Sequence, residues 1–246
     1  MLRYFQVALV VGLLIGGTAA AQDTSAWDVT NDPGDCCIDV TVGAALASTS
    51  FGMTATPTTL ATGASAFVED QTPAHEQRYR MRVYLDPNTL DPGIAQGSRR
   101  TRIFTAIDTT TEGSNRRMIM IALRQQTAGG PYAVLARVYR GSGYISPLDG
   151  TNYEQTTPVI LSAGEHFLEF DWQRESSPGA NNGSFTMWLD DDDLSSPIAT
   201  LTGIGLNAYG MDTSRLGLIQ ILAGANGTVF LDEFESRRLN EIGALL

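Results

Sequence analysis

Between Gln77 and Leu85 hydrophobic and polar positions alternate almost without a break: Tyr79, Met81, Val83 and Leu85 fall on one side, Arg78, Arg80, Arg82 and Tyr84 on the other. A period of two belongs to a β-strand with one buried and one wet face, here a cationic one. The segment from Glu165 to Asp190 holds two apolar-rich, Trp-bearing runs around a Ser, Pro, Gly and Asn loop, and predicts a β-hairpin. A second hairpin is predicted from Arg117 to Arg124 and Tyr132 to Arg140 across Ala128-Gly129-Gly130-Pro131, and a third from Arg215 to Leu222 and Thr228 to Ser236 across Asn226-Gly227. Arg102 to Asp108 reads as another strand. Cys36 to Val42 reads as one more, with Cys36, Ile38, Val40 and Val42 facing the core. Gly43 to Ala66 is rich in small residues and predicts only short strands such as Ser50 to Ala55. Helical character is confined to one short turn within Leu239 to Leu246. Many short strands with turn residues at regular spacing indicate an all-β sandwich or barrel.

The N-terminus adds an address. Arg3, the apolar run Val7 to Ile15 and Ala19-Ala20-Ala21 have the form of a secretory signal peptide cut before Gln22. The run is too short to span a bilayer, and no later segment is long and apolar enough to do so. The expected organisation is a signal peptide over 1–21, an arm over 22–35, one large β-domain over 36–238 and a tail over 239–246, exported to the periplasm or the extracellular space. All 16 basic residues are arginines against 27 acids, a net charge of −11. That balance excludes nucleic acid and anionic membranes as main partners. The adjacent Cys36 and Cys37 leave three states open: a vicinal disulfide, which needs a local distortion, free thiols, or an intermolecular bridge through Cys37.

The segment HFLEFDW…GSFTMWLDD resembles the central signature of laminin G-like and pentraxin-like domains, and GTVFLDEFESRRLNEI resembles their final strand and tail. The matching residues are His166, Trp172, Trp188, Asp190, Asp232 and Phe234. The resemblance covers about the last third of the chain. It implies the concanavalin A-like antiparallel jelly-roll sandwich of two packed sheets. Where the family has a tight Asp-Gly turn, this chain has Asp190-Asp191-Asp192-Asp193.

Candidate chemistry is sparse. Glu233 and Glu235 share a strand face, but the Glu-x-Asp-x-x-Glu spacing of jelly-roll hydrolases is absent, and so are the Gln-x-His and Tyr-Phe-Lys-Ala-Gly elements of alginate lyases. A lyase needs a tyrosine or basic residue to move a proton and cations to neutralise a uronate. Arg80, Arg82 and Tyr84 present those types on one face, as a candidate glycan site by stacking and arginine forks; a solvated face explains them equally. The acidic run Asp190, Asp191, Asp192 and Asp193 is a candidate for Ca²⁺, which takes oxygen ligands in irregular geometry, with the solvated acidic turn as its alternative. The sequence thus points to an exported, lectin-like, non-catalytic module that binds polysaccharide or another glycan, or a protein partner. The rivals are a polysaccharide lyase or glycoside hydrolase with a degenerate motif, and a structural envelope or matrix protein.

Overall fold

The computed structural model describes residues 23–57, 59–95, 97–111, 115–141, 152–206 and 208–245. The expected signal peptide lies outside them. Fifteen strands form two sheets, in chain order β1 (Val29–Asn31), β2 (Ile38–Thr41), β3 (Gly52–Ala55), β4 (Ala66–Asp70), β5 (Arg78–Asp86), β6 (Arg99–Asp108), β7 (Arg116–Gln125), β8 (Tyr132–Tyr139), β9 (Tyr153–Gln155), β10 (Val159–Ile160), β11 (His166–Gln173), β12 (Gly183–Leu189), β13 (Ala199–Ile204), β14 (Thr213–Ile219) and β15 (Val229–Arg237). The larger sheet runs β1-β4-β14-β6-β7-β8-β10 with β9 also on β8, and the smaller runs β13-β12-β11-β5-β15-β3-β2. Every pairing between strands is antiparallel. The all-β jelly-roll sandwich expected from the pattern is the fold observed.

The core lies between the sheets. From the smaller sheet, Tyr79, Met81 and Val83 on β5 stand opposite Trp172, Phe170 and Leu168 on β11, all fully buried. The larger sheet answers with Phe104, Ile119, Ile121, Val134 and Leu216. Phe170 meets Phe104 edge-on at 5.4 Å between ring centroids, an aromatic contact of about 1 kcal/mol beyond the area it buries. The arm is not separate: β1 is the edge strand on β4, and Trp27 packs on Phe234 at 4.9 Å.

Two expectations are corrected, and the open state of the cysteine pair is resolved. Arg215 to Leu222 and Thr228 to Ser236 do not form a hairpin, because β14 lies in the larger sheet and β15 in the smaller. The Asn-Gly pair instead seats the crossing loop: Asn226 exchanges backbone hydrogen bonds with Asp91, and a Cβ at Gly227 would fall 2.0 Å from the Thr89 carbonyl oxygen. Close backbone packing, not a two-residue turn, requires the glycine here. Cys36 and Cys37 are bonded to each other; alternation begins only at Ile38, and Gly34 and Asp35 in left-handed conformation (φ 79° and 50°) supply the local distortion just before the pair. Val42, expected inside, is 66 % exposed because the chain leaves β2 for a 3-10 turn over Val42–Ala44.

Candidate functional site: the arginine face of the larger sheet

The inner row of the larger sheet runs through Leu216, Phe104, Ile121 and Ala136, residues paired across β14, β6, β7 and β8. Side chains directly opposite one another in a sheet share a face, and those next along each strand point the other way. The outer face is therefore set by the neighbouring rows. One runs Glu69, Arg215, Thr105, Met120, Arg137 and Gln155 across β4, β14, β6, β7, β8 and β9. The next runs Arg102, Ala122 and Leu135, and beyond it Arg100 stands opposite Arg124. Thr105, Met120, Ala122 and Leu135 are buried and form the floor; the arginines around them are half-buried.

Electrostatics make this face unusual for a chain of net charge −11. Arg102 hydrogen-bonds to Gln220, and Arg137 Nε donates to Gln155 Oε1 at 3.0 Å, both neutral partners. Arg215 pairs with the Glu69 carboxylate at 2.5 Å, with its guanidinium 4.5 Å above the Phe67 ring. Arg102, Arg117 and Arg124 have no carboxylate partner among the described residues. Burial, with the charges of Arg117, Arg100 and Arg137 acting in the same sense, pushes the Arg102 guanidinium down to about 10. Like charges at such range are held there at a cost, and an anion laid across them would relieve it. Tyr153, at the head of β9, stands within the field of these arginines: burial raises its pKa while Arg117 and Arg116 pull it down. The hydroxyls of Thr105 and Thr213, under the same face, are buried with no hydrogen-bond partner among the described residues.

The face chosen from the sequence is a different one, and the structure shows it closed. Arg80, Arg82 and Tyr84 are 3 %, 3 % and 7 % exposed. Arg80 is ion-paired to Glu169 and Asp171, each at 3.1 Å, and Arg82 to Glu235 at 3.2 Å and Glu233 at 3.6 Å. The tail seals the layer: Gly243 N donates to Glu169 Oε2 at 2.9 Å, Arg82 Nη1 to the Gly243 carbonyl at 3.1 Å, and Leu245 N to the Tyr84 hydroxyl at 2.9 Å. Polar residues of one parity are here a buried ion-pair layer, not a wet strand. Of the two tryptophans, Trp172 is core, and Trp188 is buried under the Arg80 guanidinium at 5.5 Å.

Carboxylates in the acidic run serve its turn. Asp190 accepts from Phe167 N at 2.9 Å and lies 2.7 Å from His166 Nδ1; Asp191 accepts from Ser196 N and Asp193 from Ser195 N. Among the described residues, metal-ligand spacing occurs at two other places, Asp32 with Cys36 and Cys37, and His75 with Asp108 and Asp212. In the second, both carboxylates gather the backbone of Thr109, Thr110, Thr111 and Gly210, which staples the loop after β6.

The arginine face was not chosen from the sequence because its members sit on four strands that become neighbours only in the folded sheet. Its one local sign is an arginine near the start of β6, β7 and β14 and late in β8.

No model of a protein family matches the chain, and no curated protein does. The laminin G-like resemblance therefore stands at the level of the sandwich architecture. Among solved structures, the endo-β-1,4-glucuronan lyase of the fungus Trichoderma reesei is similar, with a TM-score of 0.60 at 15 % identity over 88 % of this chain and 93 % of that one. An alginate lyase of Pseudomonas aeruginosa is similar at a TM-score of 0.50 and 11 % identity, over 76 % of this chain and 83 % of that one. At such identities the likeness establishes the shared fold. Both of these neighbours are polysaccharide lyases, which counts against the expectation of a non-catalytic protein. No helix among the described residues is long and apolar enough to cross a membrane.

Proposed function

We propose that this chain is an exported polysaccharide lyase that takes a uronate-containing glycan across the outer face of its larger sheet. The observation that carries the reading is the concentration of Arg100, Arg102, Arg117, Arg124, Arg137 and Arg215 on that face in a chain with net charge −11. A polyanion binds such a protein only where cations are gathered, and guanidinium forks match carboxylates two bonds at a time. β-Elimination at a uronate removes the proton on the carbon bearing the carboxylate, forms a carbon–carbon double bond and expels the glycosidic oxygen. Neutralising the carboxylate acidifies that proton and stabilises the charge that develops, a task for Arg102 and its neighbours. Tyr153, set among them, is the proton carrier: as the phenolate that Arg117 and Arg116 favour it takes this proton, and as the phenol it returns it to the departing oxygen. The two fold neighbours, named for glucuronan and alginate, support uronate as the sugar class. Incubation with polyglucuronate and with alginate tests it: the ultraviolet absorbance of unsaturated uronate ends should rise, and should fall at least tenfold in rate with Arg102→Ala. Both polymers remaining intact would refute the reaction.

A further inference from the structure

At the open edge of the sandwich, away from the arginine face, the arm lies over β3 and β15 and encloses a cleft of about 480 Å³, within the size range of small-ligand sites. Six carboxylates line it, Asp23, Asp28, Asp70, Asp232, Glu233 and Glu235, and no basic side chain among the described residues does. Among the described residues only Glu233 and Glu235 are paired, with Arg82 and, for Glu235, Arg237. Asp28 accepts from Gln71 N at 2.6 Å, and Asp232 from Leu46 N at 2.8 Å and Thr49 Oγ1 at 2.5 Å, all neutral donors. Asp70 is 9 % exposed; its Oδ1 takes both Thr72 donors, and its Oδ2 meets no hydrogen-bond donor among the described residues. Burial, reinforced by Asp232, raises the pKa of Glu233, as a deficit of positive charge would. One wall is aromatic: Trp27 and Phe234 meet at 45° with centroids 4.9 Å apart.

We propose that this cleft binds a small organic cation, an alkylated or quaternary ammonium compound. The aromatic wall favours it over a metal ion, because a ring face attracts a diffuse cation and a hydrocarbon shell packs on it. The spread of the acids agrees: among the described residues, no three of these carboxylates stand within ligating reach of one another. The site is independent of the glycan reading, and either can fail alone.

Choline and its uncharged isostere 3,3-dimethylbutanol are the probes. Trp172 and Trp188 are buried and Trp27 is half-exposed, so tryptophan fluorescence reports on the cleft. Choline should give a saturable change, and the isostere should bind about tenfold more weakly or worse, the scale of a cation–aromatic contact with its carboxylate. By calorimetry, Asp70→Asn and Trp27→Leu should each weaken choline several-fold while circular dichroism stays unchanged. Equal binding of the isostere, no saturable response to choline, or tight calcium binding that displaces choline would each overturn the proposal.

Discussion

Arg80→Ala separates a sealed ion-pair layer from an open binding face. In the native protein the Arg80 guanidinium lies 3.1 Å from both Glu169 and Asp171, over the Trp188 ring. Its removal leaves Asp171 with the two hydrogen bonds from Arg78, at 3.0 and 2.6 Å. Glu169 is left fully buried with only the amides of Ile242 and Gly243. Breaking a buried pair by removing one partner costs about 3–5 kcal/mol, mostly the desolvated charge that remains. A domain of this size loses about 2–4 °C of Tm per kcal/mol, so the loss should be roughly 6–20 °C. Arg124→Ala, on the outer face of the other sheet, should stay within about 0.5 kcal/mol of the parent. Differential scanning calorimetry of both variants decides it. An Arg80→Ala protein melting within about 2 °C of the parent would show that the 239–245 tail does not seal this face, and would restore Arg80, Arg82 and Tyr84 as solvent-facing residues.

Further outcomes follow from the same geometry. Arg117→Gln removes a charge that Arg102 feels, so it should leave Tm unchanged or slightly higher while weakening retention on polyglucuronate about tenfold, the worth of one charge-assisted contact. Binding of polyuronate should fall steeply between about 0.05 and 0.5 M NaCl, as screening shortens the reach of the arginines, and an uncharged glucan should not be retained at either. Burial pushes the Asp212 carboxyl up, but hydrogen bonds from Thr109 and Thr110 outweigh it and hold the group below the usual carboxylate range. A depressed carboxylate pKa stabilises the fold above the unfolded value and stops doing so as pH falls through the folded one. Asp212→Asn should thus cost about 1–2 kcal/mol at pH 7, and its gap to the parent in urea titrations should close below about pH 4.

The strands β5, β11 and β12 were legible because their inner faces are unbroken runs of one parity, from Tyr79 to Leu85 and from Leu168 to Trp172, and alternation is the direct trace of a half-buried sheet. Parity says nothing of which layer a strand joins, so β14 and β15 read as partners although Asn226-Gly227 carries the chain from one sheet to the other. Nor does it say what covers a polar face. Arg80 and Arg82 have the same pattern whether water or the Glu169 and Glu235 carboxylates lie opposite, and those partners are 89 and 153 residues away along the chain. The arginine face was hidden for the same reason: Arg215 comes beside Thr105, and Met120 beside Arg137, only through the register of the folded sheet.

Whether the arginine face holds a uronate polymer is tested most simply by affinity electrophoresis in gels containing polyglucuronate, comparing the parent with a variant carrying Arg102→Gln, Arg117→Gln and Arg124→Gln. The parent should be retarded in proportion to the polymer, and the variant, folded with an unchanged Tm, should migrate as if the polymer were absent. Equal retardation of the two proteins would mean that the glycan is held elsewhere, and no retardation of the parent would mean that the face does not serve a uronate polymer at all.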